Sequence, residues 1–373
     1  MEISVKPVRS HRELRKFIYL PARIHRNHDT WLPPIYMDEW EFFNPKKNKS
    51  FGYCDTILLL AWKNGKAVGR IMGIINKRYN EIHHENHARF IFMECYHDRE
   101  VFHALISAVE DWAREKGMVK VIGPLGFSDK DPQGFQINGF EYQTILATVG
   151  NYPYMVDLLE KEGYTKKVDL RDYLIDIPSE LPELYKRVYR RVSHRADFEI
   201  IEFENRKQLK PYIIPVLQLM NDTYSVIYGF VPLTEKEMIE LAKRYLPVLD
   251  PHFVKVVKVA DEIVGFVIGM PDISEGLKKS HGHLFPFGIF HILRTMKKAT
   301  HLTLLLGAIK PDFRNFGVDV MMGIKMMETA SARNIKTIES HLILEHNHRM
   351  NGEVEKVGGK IIKRFRIFQK DLV

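Results

Sequence analysis

Apolar positions along the chain fall into short strand-length runs and longer stretches with helical spacing, and the two alternate in an order that occurs twice. In the first occurrence, residues 3–8 predict a strand and 11–26 a helix with Leu14, Phe17 and Ile18 on its apolar face. A Pro-rich, aromatic connection over 31–51 follows. Residues 56–62 and 67–75 predict a hairpin around Asn64-Gly65, a pair suited to the positive φ angles of a tight turn. Next come a strand over 88–95, a helix over 100–116 stopped by Gly117, a strand over 119–122, a helix over 152–162 and a strand over 165–177.

The second occurrence keeps that order. Residues 198–203 predict a strand, 207–221 and 234–246 helices, 253–259 and 263–270 a hairpin, 302–309 a strand and 318–333 a helix, with 336–344, 346–357 and 360–372 completing it. Such mixed runs, hairpins early and single helices later, predict an α+β fold with a sheet in each half. Local repeats agree: Val68-Gly69-Arg70-Ile71-Met72-Gly73 recurs as Val264-Gly265-Phe266-Val267-Ile268-Gly269, and Glu160-Lys161-Glu162-Gly163 as Glu355-Lys356-Val357-Gly358, at offsets of 196 and 195 residues. Two anchors at nearly one offset imply a duplicated domain, with halves at 1–178 and 179–373. Each half carries its extra residues in a different place, before the helix near Tyr152 in the first and over 275–299 in the second. Such insertions are where specificity usually resides.

A length of 373 residues suits two such domains. Cys54 and Cys95 give no disulfide framework, and neither the opening residues nor the longest apolar run, 57–62, suits a signal segment or a bilayer span, so a cytoplasmic protein is expected. A net charge of +8 calls for an anionic partner, with phosphorylated cofactor, nucleic acid and membrane surface as candidates.

Residues 302–319, LTLLLGAIKPDFRNFGVD, hold the chemistry most clearly. An apolar strand runs through Pro311 and Arg314 to Gly317 and a long helix, the layout of an anion cradle: first-turn amides lack partners and the dipole end is positive. Gly317 permits close backbone approach, and Arg314 adds charge-assisted bonds. The spacing Arg-x-x-Gly-x resembles the coenzyme A pyrophosphate loop of the GNAT acyltransferase superfamily, with Asp319 standing where the generic motif has a small residue. Further stretches extend the resemblance over nearly the whole chain: Trp31-Leu32-Pro33-Pro34, Asn44-Pro45-Lys46-Lys47-Asn48 and Gly123-Pro124-Leu125-Gly126-Phe127-Ser128 in the first half, then Gly229-Phe230-Val231-Pro232-Leu233-Thr234, Met270-Pro271-Asp272, Leu284-Phe285-Pro286-Phe287-Gly288 and Asn347-His348-Arg349-Met350 in the second. Together they resemble a bacterial group of two-domain GNAT-type proteins, in which Gly-Val-Asp after the cradle arginine is familiar.

That resemblance implies two tandem GNAT-like domains, each a mixed, mostly antiparallel sheet flanked by helices. It implies acetyl-CoA or another acyl-CoA as cofactor, with the pantetheine arm along Leu306, Gly307, Ala308 and Ile309, an oxyanion donor near Leu306, and the pyrophosphate on Arg314, Asn315, Phe316, Gly317, Val318 and Asp319. Asn347 matches the helix-start asparagine that approaches the pantetheine, and is equally an N-cap. The tyrosine that many members use as general acid falls at Val354, which has no proton to give. For the base, Glu339 and His341 alternate with Ser340 on the strand facing the thioester; Glu339 is preferred of the two, although either taken alone reads first as a paired core or solvent-facing polar group, and Asp272 and Glu275 stand second. In the first half the strand runs into Tyr96-His97-Asp98-Arg99-Glu100, whose carboxylates would oppose a diphosphate, so this half reads as a degenerate partner shaping the substrate cleft.

Other features carry less. His83, His84 and His87 lack a metal-binding spacing and read as a solvated loop, with no metal site predicted. The basic run 186–195 reads as a solvated joining helix more than as an RNA-binding face, so nucleic acid is disfavoured. Residues 285–301 are apolar on one side and basic on the other; packing against their own domain is the first reading, and peripheral contact with an anionic membrane the second. Three functions follow: an acyl-CoA-dependent N-acyltransferase acting on a small-molecule or peptide amine, an aminoacyl-tRNA-dependent transferase resembling the Fem enzymes, and a non-catalytic acyl-CoA-binding protein. Oligomeric state is not readable from the chain.

Overall fold

The computed structural model describes residues 2–146, 148–178, 180, 183–193, 198–246 and 249–372. The first half contains β1 (Ile3–Pro7), α1 (His11–Ile24), α2 (Tyr36–Phe42), β2 (Cys54–Lys63), β3 (Lys66–Asn76), α3 (Lys77–His83), β4 (His87–Cys95), α4 (Arg99–Glu115), β5 (Lys120–Gly123), β6 (Phe135–Asn138), α5 (Tyr154–Lys161) and β7 (Thr165–Asp176). After a joining helix, α6 (Glu183–Ser193), the second half contains β8 (Phe198–Glu202), α7 (Arg206–Leu209), α8 (Ile213–Tyr224), α9 (Glu235–Tyr245), β9 (Val254–Val259), β10 (Glu262–Pro271), α10 (Ser274–Lys279), α11 (Gly288–Lys298), β11 (His301–Ile309), α12 (Val318–Ala332), β12 (Thr337–Glu339), β13 (Ile343–Leu344), α13 (His348–Lys356) and β14 (Lys360–Asp371). The basic run expected over 186–195 falls on α6, except that His194 and Arg195 lie outside the described residues.

Local chemistry accounts for most boundaries. Ser10 and Glu13 form a capping box at the start of α1, and Thr234 and Glu237 do the same for α9, each satisfying amides that helix geometry leaves free. Asn64 and Gly65, at φ 52° and 73°, make the β2–β3 turn. Two expected elements are broken. The helix over 207–221 divides into α7, a 3-10 turn at Lys210–Tyr212 and α8, because Pro211 has no amide to continue the ladder. The strand over 336–344 stops at Glu339 and resumes only as the short β13.

The described strands form one 14-stranded sheet, ordered β1-β2-β3-β4-β5-β14-β7-β12-β11-β10-β9-β8, with β6 paired to β14 and β13 to β7. Its centre departs from the expectation that each half closes on its own last strand. β14 lies between β5 and β7, pairing Phe368–Asp371 with Lys120–Gly123, while β7 pairs with β12 across Asp176–Leu174 and Thr337–Glu339. The halves have therefore exchanged their final strands. β7 and β14 are both 12-residue strands with buried apolar residues between polar ends, so either could complete either half, and only the three-dimensional connection chooses.

Helices cover both faces. In the first half α4 packs Phe102, Leu105 and Val109 onto Ile71 and Phe90, while α1 packs Phe17 and Ile18 onto Met72 and Ile74 on the other side. In the second half α8 sets Met220 against Val256 and Phe266, and α12 sets Met321 and Met322, with Val192 of α6, against Val257 and Val264. Each half contains one parallel strand pair that separates after three residues: β4 with β5 at residues 87–89 and 120–122, and β11 with β12 at 301–303 and 337–339.

Candidate active site

Where β11 leaves β12, its backbone edge is open. Residues Leu304–Ile309 are half-buried, with Gly307 exposed, whereas all nine residues of β4 are buried. At Gly307 the amide donates to the Tyr224 hydroxyl (3.3 Å) and the carbonyl accepts from it (3.0 Å). Gly307 lies opposite Val267 of β10, and because the Lys310 amide donates to the Val264 carbonyl three residues along the same ladder, 307 and 267 form a pair without mutual hydrogen bonds, which turns both Gly307 groups away from β10 into the opening. The amide facing outward is thus that of Gly307, one residue beyond Leu306. Tyr224, at the end of α8, has its hydroxyl pushed up to about 12, chiefly by burial.

At the far end of β11 the chain runs through a turn into a helix, the course expected for residues 302–319. A 3-10 turn at Pro311–Phe313 leads to Arg314, whose Nε donates to the Ile309 carbonyl (3.2 Å). Asn315 and Gly317 take left-handed φ angles of 70° and 84°, and Gly317 is the N-cap of the 15-residue α12 with no side chain closing its first turn. Phe316 is exposed and Val318 buried. Asp319 lies on that first turn, where its charge acts on Lys356 and Tyr185. Gly317 is crowded from a different direction than expected: a Cβ there would stand 2.5 Å from Val192 Cγ2 and 3.1 Å from Val188 Cγ1, both on α6. Its bareness admits the joining helix, so a larger residue at 317 would disturb α6 whether or not a ligand binds.

Glu339 is not free to act as a base where it sits. Its carboxylate is buried, 2.5 Å from Lys363 Nζ of β14 and 2.9 Å from His301 Nε2 of β11, and Asp172 of β7 lies 3.1 Å from the same ammonium. Burial would raise the Glu339 carboxyl, but the His301 hydrogen bond and the Lys363 charge outweigh it and hold it low; Asp172 is pushed up by burial and then by Glu339. This charge cluster pins four neighbouring strands together across the junction of the halves. His301 Nδ1 is engaged as well, by Thr337 Oγ1 at 2.8 Å.

The remaining candidates are scattered. His341 is half-buried in the link between β12 and β13. Asn347 is the N-cap of α13, accepting from the Met350 amide (3.1 Å), and Val354 is buried in the core beneath that helix. Asp272 accepts from Ser274 at the start of α10, and Glu275 is an exposed partner of Lys279. Of the histidine trio, His87 is buried beside Glu85 and His83 stacks on Tyr79, so the run is less solvated than its composition suggests.

Sequence reasoning missed Tyr224 and the loop after β5. Lys130 of that loop donates to the Val231 carbonyl of the second half (3.0 Å), and the buried Asp129 acts electrostatically on the Tyr224 hydroxyl. Asp129 has its carboxyl raised by burial despite Lys130 at 3.2 Å, and Asp131, accepting from the Phe127 amide at 2.7 Å, is lifted to about 6. Lys130 follows the distinctive stretch 123–128 and Val231 lies within the other, 229–234, which was the only signal. Nothing in the local pattern marked Tyr224.

No family model matches the chain. A protein of Caulobacter vibrioides described as a bacterial ceramide synthase is 29% identical over 383 aligned positions, covering 100% of this chain and 98% of that one. Protein YghO of Escherichia coli is 25% identical, covering 96% and 93%. Among solved structures, a tandem GNAT protein from the clavulanic acid biosynthesis pathway superposes with a TM-score of 0.57 over 100% of this chain and 99% of its own, at 10% identity.

Proposed function

We propose that this protein, which has the tandem GNAT fold, is an N-acyltransferase that moves the acyl group of an acyl-CoA onto a primary amine in the opening between β11 and β12. The observation that carries this reading is the edge of β11 beyond Thr303, which no strand among the described residues pairs on the β12 side and where the Tyr224 hydroxyl takes both backbone groups of Gly307. The residues suit the cofactor: an unpaired strand edge accepts an extended amide-bearing arm, and the uncapped first turn of α12 beside Arg314 suits a diphosphate. Acyl-CoA supplies an activated thioester carbonyl. A thioester carbonyl oxygen that displaces the Tyr224 hydroxyl from Gly307 gains that amide as its donor, and the released hydroxyl carries its proton at Oη to the departing sulfur. As the carbon–nitrogen bond forms and the carbon–sulfur bond breaks, the amine loses a proton, and we assign its acceptance to Asp129, which sits on the loop that Lys130 ties to the second half and whose charge acts on the Tyr224 hydroxyl. Glu339 and His301 then serve to hold the base of the opening rigid.

Full-length likeness to a protein named for ceramide synthesis favours a fatty acyl donor and a long-chain amino alcohol as acceptor, since a ceramide is the amide of those two. Free, buried Cys54 and Cys95 favour a cytoplasmic setting. The test is incubation of the purified protein with acetyl-CoA or palmitoyl-CoA and either sphinganine or a short amine, reading amide product by mass spectrometry and released thiol by colour. Amide from the long-chain pair is expected. Binding of acyl-CoA without any amide would point instead to a non-catalytic binding protein, and no binding at all would sink both readings.

A further inference from the structure

The insertion that carries α10 and α11 has two unlike sides. Its inner side is built into the protein: Leu277 and Ile292 pack with Leu32 of the first half, the Tyr36 amide donates to the Gly282 carbonyl (3.1 Å), and Lys278 Nζ reaches the Asp29 carbonyl and Gln143. Its outer side leaves Phe285 71%, Phe287 70%, Phe290 66% and Leu293 44% exposed within nine residues. Three phenylalanines left in water by an otherwise anchored segment are not the by-product of a loose loop. His291, Arg294, Lys297 and Lys298 are exposed on the same helix, and among the described residues no carboxylate pairs with Arg294 or Lys297. A cationic fringe around projecting aromatic rings is complementary to lipid headgroups over acyl chains and matches no feature of the protein's own interior.

We propose that the outer face of α11, with the Phe285–Phe287 turn before it, docks this protein onto an anionic phospholipid surface. It lies flat there, since no helix among the described residues is long and apolar enough to cross a membrane. The docking is read from the surface alone and does not depend on the acyl-transfer reaction.

The experiment is cosedimentation of the full chain with phosphatidylcholine vesicles, with and without phosphatidylglycerol, at low and high salt. Two variants accompany it: Phe285→Ser/Phe287→Ser/Phe290→Ser, and Arg294→Glu/Lys297→Glu. Melting curves establish that each is folded, and light scattering gives its size. Expected are binding that requires phosphatidylglycerol and weakens with salt, a loss on the order of a hundredfold in the aromatic variant, and at least about fivefold per basic residue in the other. Failure of the parent to bind anionic vesicles would overturn the proposal, as would equal binding by the folded aromatic variant. A parent dimer that the serine substitutions dissociate would also overturn it, by showing that a second copy covers the patch.

Discussion

The two parting strand pairs begin with the same three-residue parallel register and end as opposites. After β5 the chain turns straight back over β4: the Leu125 amide donates to the Phe90 carbonyl (2.9 Å), and Gly123 is needed because a Cβ there would land on that same carbonyl oxygen. Arg89, buried over the Tyr79 ring, holds the loop through the Gly126 and Phe127 carbonyls at 3.0 and 3.1 Å. The first opening is filled by the protein itself. In the second, no such loop follows β12 among the described residues, and both Gly307 backbone groups bond to the Tyr224 hydroxyl. The helix ends differ in the same sense. Asp98 caps α4 by accepting from the Glu100 and Val101 amides and pairs with Lys63 at 2.6 Å, whereas α12 starts at a bare glycine. One scaffold thus occurs once with its parting strands covered by their own loop and once with them left apart, and a few residues after each strand decide which.

The strongest challenge to that comparison is to separate the copies. Because β14 completes the first half and β7 the second, residues 1–178 expressed alone should not fold cooperatively, and adding 179–373 in trans should restore solubility at best partly; a sharp independent melt for 1–178 would contradict the exchange. Next in size is Lys363→Met at the shared seam. It strands two buried carboxylates and should cost roughly 3–5 kcal/mol in denaturant titration.

Paired substitutions then set opening against opening. Tyr224→Phe should lower kcat about a hundredfold with little change in melting temperature, while Leu125→Ala should leave kcat nearly unchanged per folded molecule and destabilise by about 2–5 kcal/mol. A reversed pattern would mean that the first opening, not the second, is the working one.

The smallest effect is a pH slope. Asp131 has its folded pKa raised from 3.8 to about 6 by burial, so its contribution to stability is full below about 4 and lost as pH rises through about 6. Asp131→Asn should remove a slope of at most about 3 kcal/mol from a pH series of unfolding midpoints. Glu339 has the opposite sign: held low, it contributes above its unfolded value near 4.5 and is lost as pH falls further.

The chain's pattern announced the hairpins at Asn64-Gly65 and in the second half and the turn into α12, because each depends on residues within a dozen positions of one another, and it announced the duplication through short motifs that recur at offsets of 196 and 195 residues. It did not announce that Glu339 would be taken by Lys363 and His301, residues 24 and 38 positions away in sequence, nor that Tyr224 would reach Gly307 across 83. The Gly317 reading shows the boundary between the two. Its left-handed turn was legible from the local motif, but the neighbour that demands a missing side chain is α6, which arrives from the joining segment.

By itself, then, the sequence determined two copies of one α+β pattern and an anion-suited helix start in the second, since propensity, capping and periodicity act through near neighbours. Only the tertiary structure decided which last strand serves which half, which parting strands are covered by their own loop and which polar groups are paired. Those outcomes depend on burial and pairing between segments that meet only once the chain has folded.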